Sequence, residues 1–271
     1  MRRSELIAAI ALLLVQGCVR VPTSTGKVVS LVPSVTEIIY ALGQERQLAG
    51  NTTFCNYPAQ ARDVYKVGDF SNPSVERILA LKPRLVFATL PEQQTTVERL
   101  KQMGIRVFVS RPVNLDSMLQ EILRIGQELG VAARAETLVS GMKERLGRIP
   151  VPSLKPRVYL EISEQPLMSV GAGSFIAEAV VRAGGENIFG AVRKEYPEVS
   201  QEQVIARNPE IIIILHPQSK AKDVALRLGW QNVAAVKAGR IYDDVDPDLL
   251  LRSGPRIIDG IEALAKRFQP Q

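Results

Sequence analysis

Short apolar runs alternate with amphipathic stretches along this chain, and the two kinds of segment predict strands and helices in turn. Residues 85–88 and 211–215 contain only apolar side chains. Strands that helices cover on both faces are apolar without alternation, which is typical of parallel sheets. Further strands are predicted at residues 28–31, 48–53, 104–109, 157–162 and 239–243. The pattern therefore predicts an α/β protein.

One helix-strand pattern occurs twice in the chain, at residues 74–88 and 200–214. Its repeated residues are separated by a constant 126 positions and are Ser74 and Ser200, Glu76 and Glu202, and Pro83 and Pro209. The serine can cap a helix start, and the glutamate complements the positive end of that helix. The proline excludes the residue before it from helical conformation. Two similar lobes are therefore predicted.

Between these lobes, residues 114–148 carry apolar side chains at helical spacing. The spacing predicts one long helix, or two abutting ones, with Gly126 and Gly130 among its glycines. The chain then divides into a first α/β lobe at residues 27–113, the bridging helix, and a second α/β lobe at residues 149–271. Each lobe is expected to hold a mostly parallel sheet flanked by helices.

The N-terminus has the order of an export signal. Two arginines precede the ten-residue apolar run 6–15, which is too short to span a bilayer. The residues that follow, ending at Cys18, resemble the lipobox of bacterial lipoproteins, in which the cysteine is acylated. This predicts a signal peptide at residues 1–17, lipid on Cys18 and a flexible tether at residues 18–26. A plain cleaved signal with an incidental cysteine is the alternative.

The charge pattern argues against nucleic acid as a partner. The chain of 271 residues has 34 basic and 28 acidic side chains and a net charge of +6, with a pI near 9.4. The basic residues form no run, and few aromatic side chains are present to stack on bases. A solvated surface of mixed charge explains the composition.

Residues that could support catalysis or a resident cofactor are sparse. A Ser-His-Asp set would have to use His216, the single histidine, and no Gly-x-Ser-x-Gly elbow is present. Residues 171–173 lack the third glycine and the acidic anchor of a dinucleotide fingerprint. Two cysteines and one histidine cannot complete a four-ligand zinc site without carboxylates. Cys55 is interpreted as a free thiol, either in the core or in contact with a ligand or metal. We expect no catalysis and no cofactor, with a hydrolase and an adhesion or scaffold lipoprotein as alternatives.

Several segments carry a family resemblance that covers residues 28–268. They are residues 28–37, 55–58, 72–83, 185–189 and 252–257. Together with the two predicted lobes and the export signal, they make the chain resemble the helix-bridged class of substrate-binding proteins, which serve ABC importers for vitamin B12, haem and ferric siderophores. Within this class the chain is most similar to the vitamin B12-binding members. The resemblance implies an extracytoplasmic, membrane-anchored monomer with a ligand cleft between its lobes.

The resemblance also implies roles for individual residues. Glu76 and Glu202 fall on the positions that dock into arginines of the two-fold permease, although both could simply stabilise helix starts. The residues that match the ligand cleft of the class are Phe54, Phe70, Met168, Tyr196, Asp248 and Arg252. Aromatic and thioether surfaces suit the faces of a corrin ring, and the polar pair would orient its amide arms. A core position is the alternative for each aromatic residue, and a surface ion pair is the alternative for the polar two.

The ligand implied by this resemblance is cobalamin or a related corrinoid. A ferric catecholate siderophore carries several negative charges, whereas Arg252 is the only cation among the matched positions. Haem is the closer alternative, because the same apolar walls would hold a porphyrin. His216 is expected at the edge of the crevice, where it could bind cobalt or haem iron as an axial ligand, although most lone histidines are not ligands.

Overall fold

The computed structural model describes residues 26–150 and 152–270. The predicted signal peptide, the lipidated Cys18 and most of the tether lie outside the described residues. The first lobe contains β1 Val28–Ser30, α1 Pro33–Ala41, β2 Leu48–Asn51, α2 Val75–Ala80, β3 Leu85–Ala88, α3 Gln94–Gln102 and β4 Val107–Val109. The bridge contains α4 Leu115–Glu128 and α5 Ala132–Gly147. The second lobe contains β5 Arg157–Glu161, β6 Ser163–Glu164, β7 Leu167–Met168, α6 Phe175–Arg182, β8 Glu186–Asn187, α7 Gln201–Arg207, β9 Ile211–Ile214, α8 Ala221–Ala225, α9 Ala234–Lys237, β10 Ile241–Tyr242, α10 Asp248–Leu251 and α11 Ile257–Phe268.

Each lobe is built on a four-stranded parallel sheet, and the two sheets have matching strand orders. In the first, β1 lies between β2 and β3, with β4 beyond β3. In the second, β5 lies between β8 and β9, with β10 beyond β9. The repeated strands β3 and β9 occupy equivalent positions, and every residue in them is buried. The prediction of two similar lobes with buried parallel strands is confirmed.

The repeated helices α2 and α7 begin and end as the sequence predicts. Ser74 Oγ and Ser200 Oγ each accept a hydrogen bond from the backbone amide three residues later, at 3.2 and 3.3 Å. Each helix is followed by a residue in the left-handed region directly before the repeated proline, Lys82 with φ of 48° and Asn208 with φ of 44°. Because proline disfavours the helical region for the preceding residue, the chain leaves the helix there and turns into β3 or β9.

The bridge consists of two helices rather than one. Gly130, between α4 and α5, has a φ of +75°. This left-handed conformation ends many helices, and glycine adopts it without strain. The helices also pack closely, since a Cβ atom built on Gly126 would lie 2.3 Å from the Cβ of Ala135. Of the two alternatives that the apolar spacing left open, the structure contains the pair of abutting helices.

The lobes share one hydrophobic core. A single cluster of buried side chains includes Leu85 from the first lobe, Leu119 and Val139 from the bridge, and Val158 and Ile261 from the second lobe. Two smaller clusters cover the opposite face of each sheet. Because interiors of this kind pack as densely as organic crystals, the shared cluster holds the lobes together as one unit. Among the described residues, no helix is both long and apolar enough to cross a membrane.

Candidate ligand-binding cleft

A cleft of about 430 Å³ lies between the lobes and is lined by both. Its first wall includes the segments that follow β1, β3 and β4, which agrees with the rule that crevices in α/β sheets form beyond the carboxyl ends of strands. The volume falls in the range of roughly 300–1,000 Å³ that small-molecule sites occupy. The lining residues are Val32, Pro33, Ser34, Phe54, Phe70, Thr89, Leu90, Pro91, Glu92, Ser110, Arg111, Pro112, Val113, Gly173, Phe175, Glu195, Tyr196, Asp248, Leu251, Arg252 and Ser253.

All three aromatic residues predicted for the cleft line it. Phe54 and Phe70 meet edge to face in the first lobe, with their ring centroids 6.4 Å apart. Phe54 is 57% exposed, so the cleft presents an uncovered apolar ring. Tyr196 contributes from the second lobe. Burial raises the pKa of Tyr196, and Glu195 and Glu92 raise it further, so the phenol stays protonated at neutral pH.

The cleft lining carries two cationic and three anionic side chains. Arg111 and Arg252 are accompanied by the carboxylates of Glu92, Glu195 and Asp248. Arg111 is therefore a second arginine in the cleft, beyond the positions that match the ligand cleft of the class. Arg252 Nη2 lies 2.7 Å from Asp248 Oδ2. The two predicted polar residues thus line the cleft and also form an ion pair with each other.

Two buried polar side chains hold the first-lobe wall in place. Gln93 is 1% exposed, and its Nε2 donates to the carbonyl of Phe70 at 2.8 Å while its Oε1 accepts from the amide of Thr89 at 3.0 Å. Glu121 in α4 accepts a hydrogen bond from Ser110 Oγ at 2.5 Å. Burial raises the pKa of Glu121, although this hydrogen bond opposes the shift. Three separate cleft segments are therefore tied to buried groups behind the wall.

Two of the predicted site residues do not line this cleft. Met168 lies in β7, where its carbonyl accepts a hydrogen bond from the amide of Ile162 at 3.0 Å. His216 is 8% exposed, and its Nε2 lies 2.9 Å from Glu161 Oε1. Its Nδ1 accepts from the amide of Gln218 at 3.2 Å. Because protein groups engage both ring nitrogens, the structure does not support an axial-ligand position for His216.

Cys55 occupies a buried position in the first lobe, outside the cleft lining. Thr36 Oγ1 donates to its sulfur at 3.2 Å, and Thr52 Oγ1 lies 3.3 Å from it. These contacts agree with the core alternative for this thiol. Within residues 26–150 and 152–270, no group of three His, Cys, Asp or Glu side chains could hold a metal ion.

Most of the first-lobe residues that line the cleft were not predicted from the sequence. Residues 89–92 and 110–113 line the cleft and follow β3 and β4 directly. The rule that crevices form beyond the carboxyl ends of parallel strands could have found both segments. Phe175 and Leu251, in contrast, lie in second-lobe helices and carry no sequence signal that separates them from core residues.

Glu76 and Glu202 lie outside the cleft at equivalent positions of the two lobes. Both side chains are exposed in the first turn of their helices. A hydrogen bond from its own backbone amide and one from Ser74 lower the pKa of Glu76. A hydrogen bond from Ser200 is the first cause that lowers the pKa of Glu202. Both carboxylates are therefore available as exposed negative charges on matching helix starts.

A two-lobed α/β protein with a ligand-sized cleft between lobes that share a core has the architecture of a substrate-binding protein. The chain belongs to the periplasmic binding protein family, whose model matches residues 28–247. Proteins similar to it along most of its length include one from Bacillus subtilis and one from Yersinia pestis.

The Bacillus subtilis relative is YvrC, an uncharacterized ABC transporter substrate-binding lipoprotein. It is 36% identical over 255 residues, which cover 90% of this chain and 80% of YvrC. The vitamin B12-binding protein of Yersinia pestis is 30% identical over 246 residues, covering 89% of this chain and 86% of the relative. With its fold and family, these relatives define the protein as an ABC transporter substrate-binding protein.

Solved structures of the same architecture bind different ligands. The vitamin B12-binding protein BtuF of Vibrio cholerae is 25% identical with a TM-score of 0.72, covering 89% of this chain and 96% of BtuF. The heme-binding protein RhuT from Roseiflexus sp. RS-1 is also 25% identical, with a TM-score of 0.79, covering 90% of this chain and 97% of RhuT. The fold alone therefore does not identify the ligand, which has to be inferred from the residues that line the cleft.

Proposed function

We propose that this protein captures cobalamin or a related corrinoid outside the cytoplasm and delivers it to the permease of an ABC importer. The observation that carries the proposal is the lining of the cleft. Apolar rings come from both lobes, and the two arginines are outnumbered by three carboxylates. A bulky neutral ligand suits such walls, because its flat faces can cover aromatic surface without needing compensating charge.

Anionic ligands are a poorer match for this lining. A ferric catecholate siderophore carries several negative charges and would meet Glu92, Glu195 and Asp248 beside only two arginines. Both terminal nitrogens of Arg252 are already bound to protein oxygens. The charge balance therefore disfavours a siderophore and favours the neutral corrinoid.

Haem is the second candidate, and Tyr196 is the specific observation in its favour. A tyrosine phenolate can serve as an axial ligand of haem iron, and Tyr196 lies in the cleft. However, burial and two nearby carboxylates raise the pKa of this phenol, which makes the phenolate harder to form. The phenol is better suited to packing and to donating a hydrogen bond.

Titration calorimetry against cyanocobalamin, cobinamide, hemin and a ferric siderophore tests the ligand. We expect cyanocobalamin to bind with a Kd on the order of nanomolar, or about −12 kcal/mol. Phe70→Ala should weaken this binding by roughly 1–3 kcal/mol, because the ligand would no longer cover that ring.

Two variants of Tyr196 separate the candidates within the same experiment. Tyr196→Phe keeps the ring, so corrinoid binding should change little, whereas Tyr196→Ala should weaken it as Phe70→Ala does. If haem were the ligand through a phenolate, Tyr196→Phe would abolish hemin binding. Tight hemin binding lost in this variant, with no binding of corrinoids, would contradict the proposal.

The anchor is a further part of the proposal and is supported by the lipobox-like residues before Cys18. Cells expressing the wild-type protein should incorporate labelled palmitate into it, and the protein should fractionate with membranes. Cys18→Ala should remove the label and release a folded protein, because acyl chains on this sulfur would supply the membrane affinity, about 0.8 kcal/mol per buried CH₂. A wild-type protein without label would contradict the anchor.

A further inference from the structure

Two arginines of the second lobe bind one buried carboxylate of the first lobe. Glu37 lies in α1 and is 3% exposed. It accepts hydrogen bonds from Arg252 Nη1 at 2.9 Å and, in a bidentate pair, from Arg256 Nε at 2.8 Å and Nη2 at 2.7 Å. Charge-assisted bonds with this forked geometry are the strongest hydrogen bonds that side chains make. Residues from opposite ends of the chain therefore meet across the lobe interface.

The contacts of Arg252 are directed at the protein rather than at the cleft. Besides Glu37, its Nη1 donates to Asn56 Oδ1 at 2.8 Å. Its Nη2 pairs with Asp248 at 2.7 Å and donates to the carbonyl of Phe54 at 3.3 Å. Each terminal nitrogen of a guanidinium carries two N–H groups, so these four contacts engage all of them. Arg252 thus holds the backbone of Phe54, the exposed ring of the cleft wall.

Neighbouring contacts tie the same second-lobe segment to the first lobe. The guanidinium carbon of Arg256 lies 3.8 Å from the centroid of the Tyr57 ring. Between the arginines, Gly254 packs on Ser34, whose Cβ would be 3.4 Å from a Cβ built on the glycine. The hydrogen bond to Glu37 raises the pKa of Arg256, so this partner stays charged.

We infer that Glu37, Arg252 and Arg256 fix the separation of the two lobes, and that Arg252 also positions Phe54 in the cleft wall. Opening the lobes would break three charge-assisted hydrogen bonds to Glu37 at once, and such bonds are roughly twice as strong as those between neutral groups. The cleft is therefore preformed, and Phe54 is held in place before a ligand arrives. The expected effect on ligand affinity rests on the proposed function, whereas the lobe separation does not.

Distances between spin labels on the two lobes test this inference without a ligand. Labels are placed on the full chain at Lys101→Cys and Lys237→Cys, both exposed positions, in a Cys18→Ala background. Cys55 is 1% exposed and should remain unlabelled. Glu37→Gln is expected to broaden the distance distribution and to weaken cyanocobalamin binding by about tenfold or more. Arg252→Lys keeps the charge but loses the planar guanidinium that reaches Glu37, Asn56, Asp248 and Phe54 together, so it should act in the same direction and serves if Glu37→Gln fails to fold.

Glu161→Gln is the matched control. Glu161 is 0% exposed and binds Arg227 at 2.6 and 2.8 Å, but both residues belong to the second lobe. This variant should lower thermal stability comparably while leaving the label distance and the affinity unchanged. Equal broadening in Glu161→Gln, or an unchanged distance in Glu37→Gln and Arg252→Lys, would overturn the inference. Broadening in a protein that does not bind cyanocobalamin would instead support the inference and contradict the proposed ligand.

Discussion

Reversing both Glu76 and Glu202 to arginine is expected to reduce ligand uptake through the permease to background while leaving the affinity for cobalamin nearly unchanged. Both carboxylates are exposed, lie at equivalent helix starts and are absent from the cleft lining. In the proposed complex each would face an arginine of the permease, and two arginines brought together repel. Radiolabelled cobalamin transport in vesicles with the reconstituted permease measures the first effect, and calorimetry measures the second.

A charge-matched control distinguishes the loss of two specific docking contacts from the effect of a changed net charge on the protein. Glu136→Arg with Glu186→Arg changes the net charge equally at exposed positions in the bridge and the second lobe. This pair should leave uptake near the wild-type level. Because the pKa of Glu76 and the pKa of Glu202 are both lowered from 4.5, docking should also persist as pH falls from 7 towards about 5. Lost cobalamin affinity with normal permease association would contradict the docking role of the two glutamates.

The internal repeat explains why so much of the fold could be predicted from the sequence. Serine caps, prolines and continuous apolar runs are local signals, and each lobe supplied an independent copy of them. The matching strand orders follow from that duplication. The aromatic residues of the cleft were predicted from the family resemblance, and two of them, Phe70 and Tyr196, also share the 126-residue spacing, four residues before the capping serines.

The remaining parts of the site depend on contacts between distant residues. Glu37 and Arg252 are 215 positions apart, so no local pattern indicates that they bind each other. His216 follows a strand as a crevice residue would, but the buried carboxylate of Glu161 on the neighbouring strand binds its ring. Met168 matched a cleft position of the family, yet it is half-buried in the β6–β7 ladder. A strand-end position is therefore a useful guide to this cleft, but tertiary contacts decide which of these residues line it.

The bridge shows the same division between local and tertiary information. Apolar spacing alone could not distinguish one helix from two, because α4 and α5 both present their apolar faces to the shared core. Two glycines, which act in different ways, explain why the bridge forms two helices rather than one. Gly130 supplies the left-handed turn, whereas Gly126 allows α5 to approach α4.

Gly126→Ala and Gly141→Ala are expected to change stability in opposite directions. The new methyl at position 126 would meet the Cβ of Ala135 at 2.3 Å, a rigid contact that forces the helices apart. Overpacking of this kind costs roughly 1–3 kcal/mol, which outweighs the gain in helix propensity. Gly141 lies in α5, and a methyl group added there would have nothing within 4 Å of it. At this position the substitution should stabilise by about 0.5–1 kcal/mol, because alanine loses less backbone entropy in a helix.

Urea unfolding of the two variants and the wild type measures both effects, with the slope of free energy against urea checked for constancy. The comparison is matched because the same methyl is added to a glycine of the bridge in each variant, and only its surroundings differ. Stabilisation by both substitutions would contradict the close approach of α4 and α5, since a single straight helix would gain from alanine at either position. Destabilisation confined to Gly126→Ala would establish that the bridge is a packed helix pair, whose close contact supports the shared core on which the cleft is built.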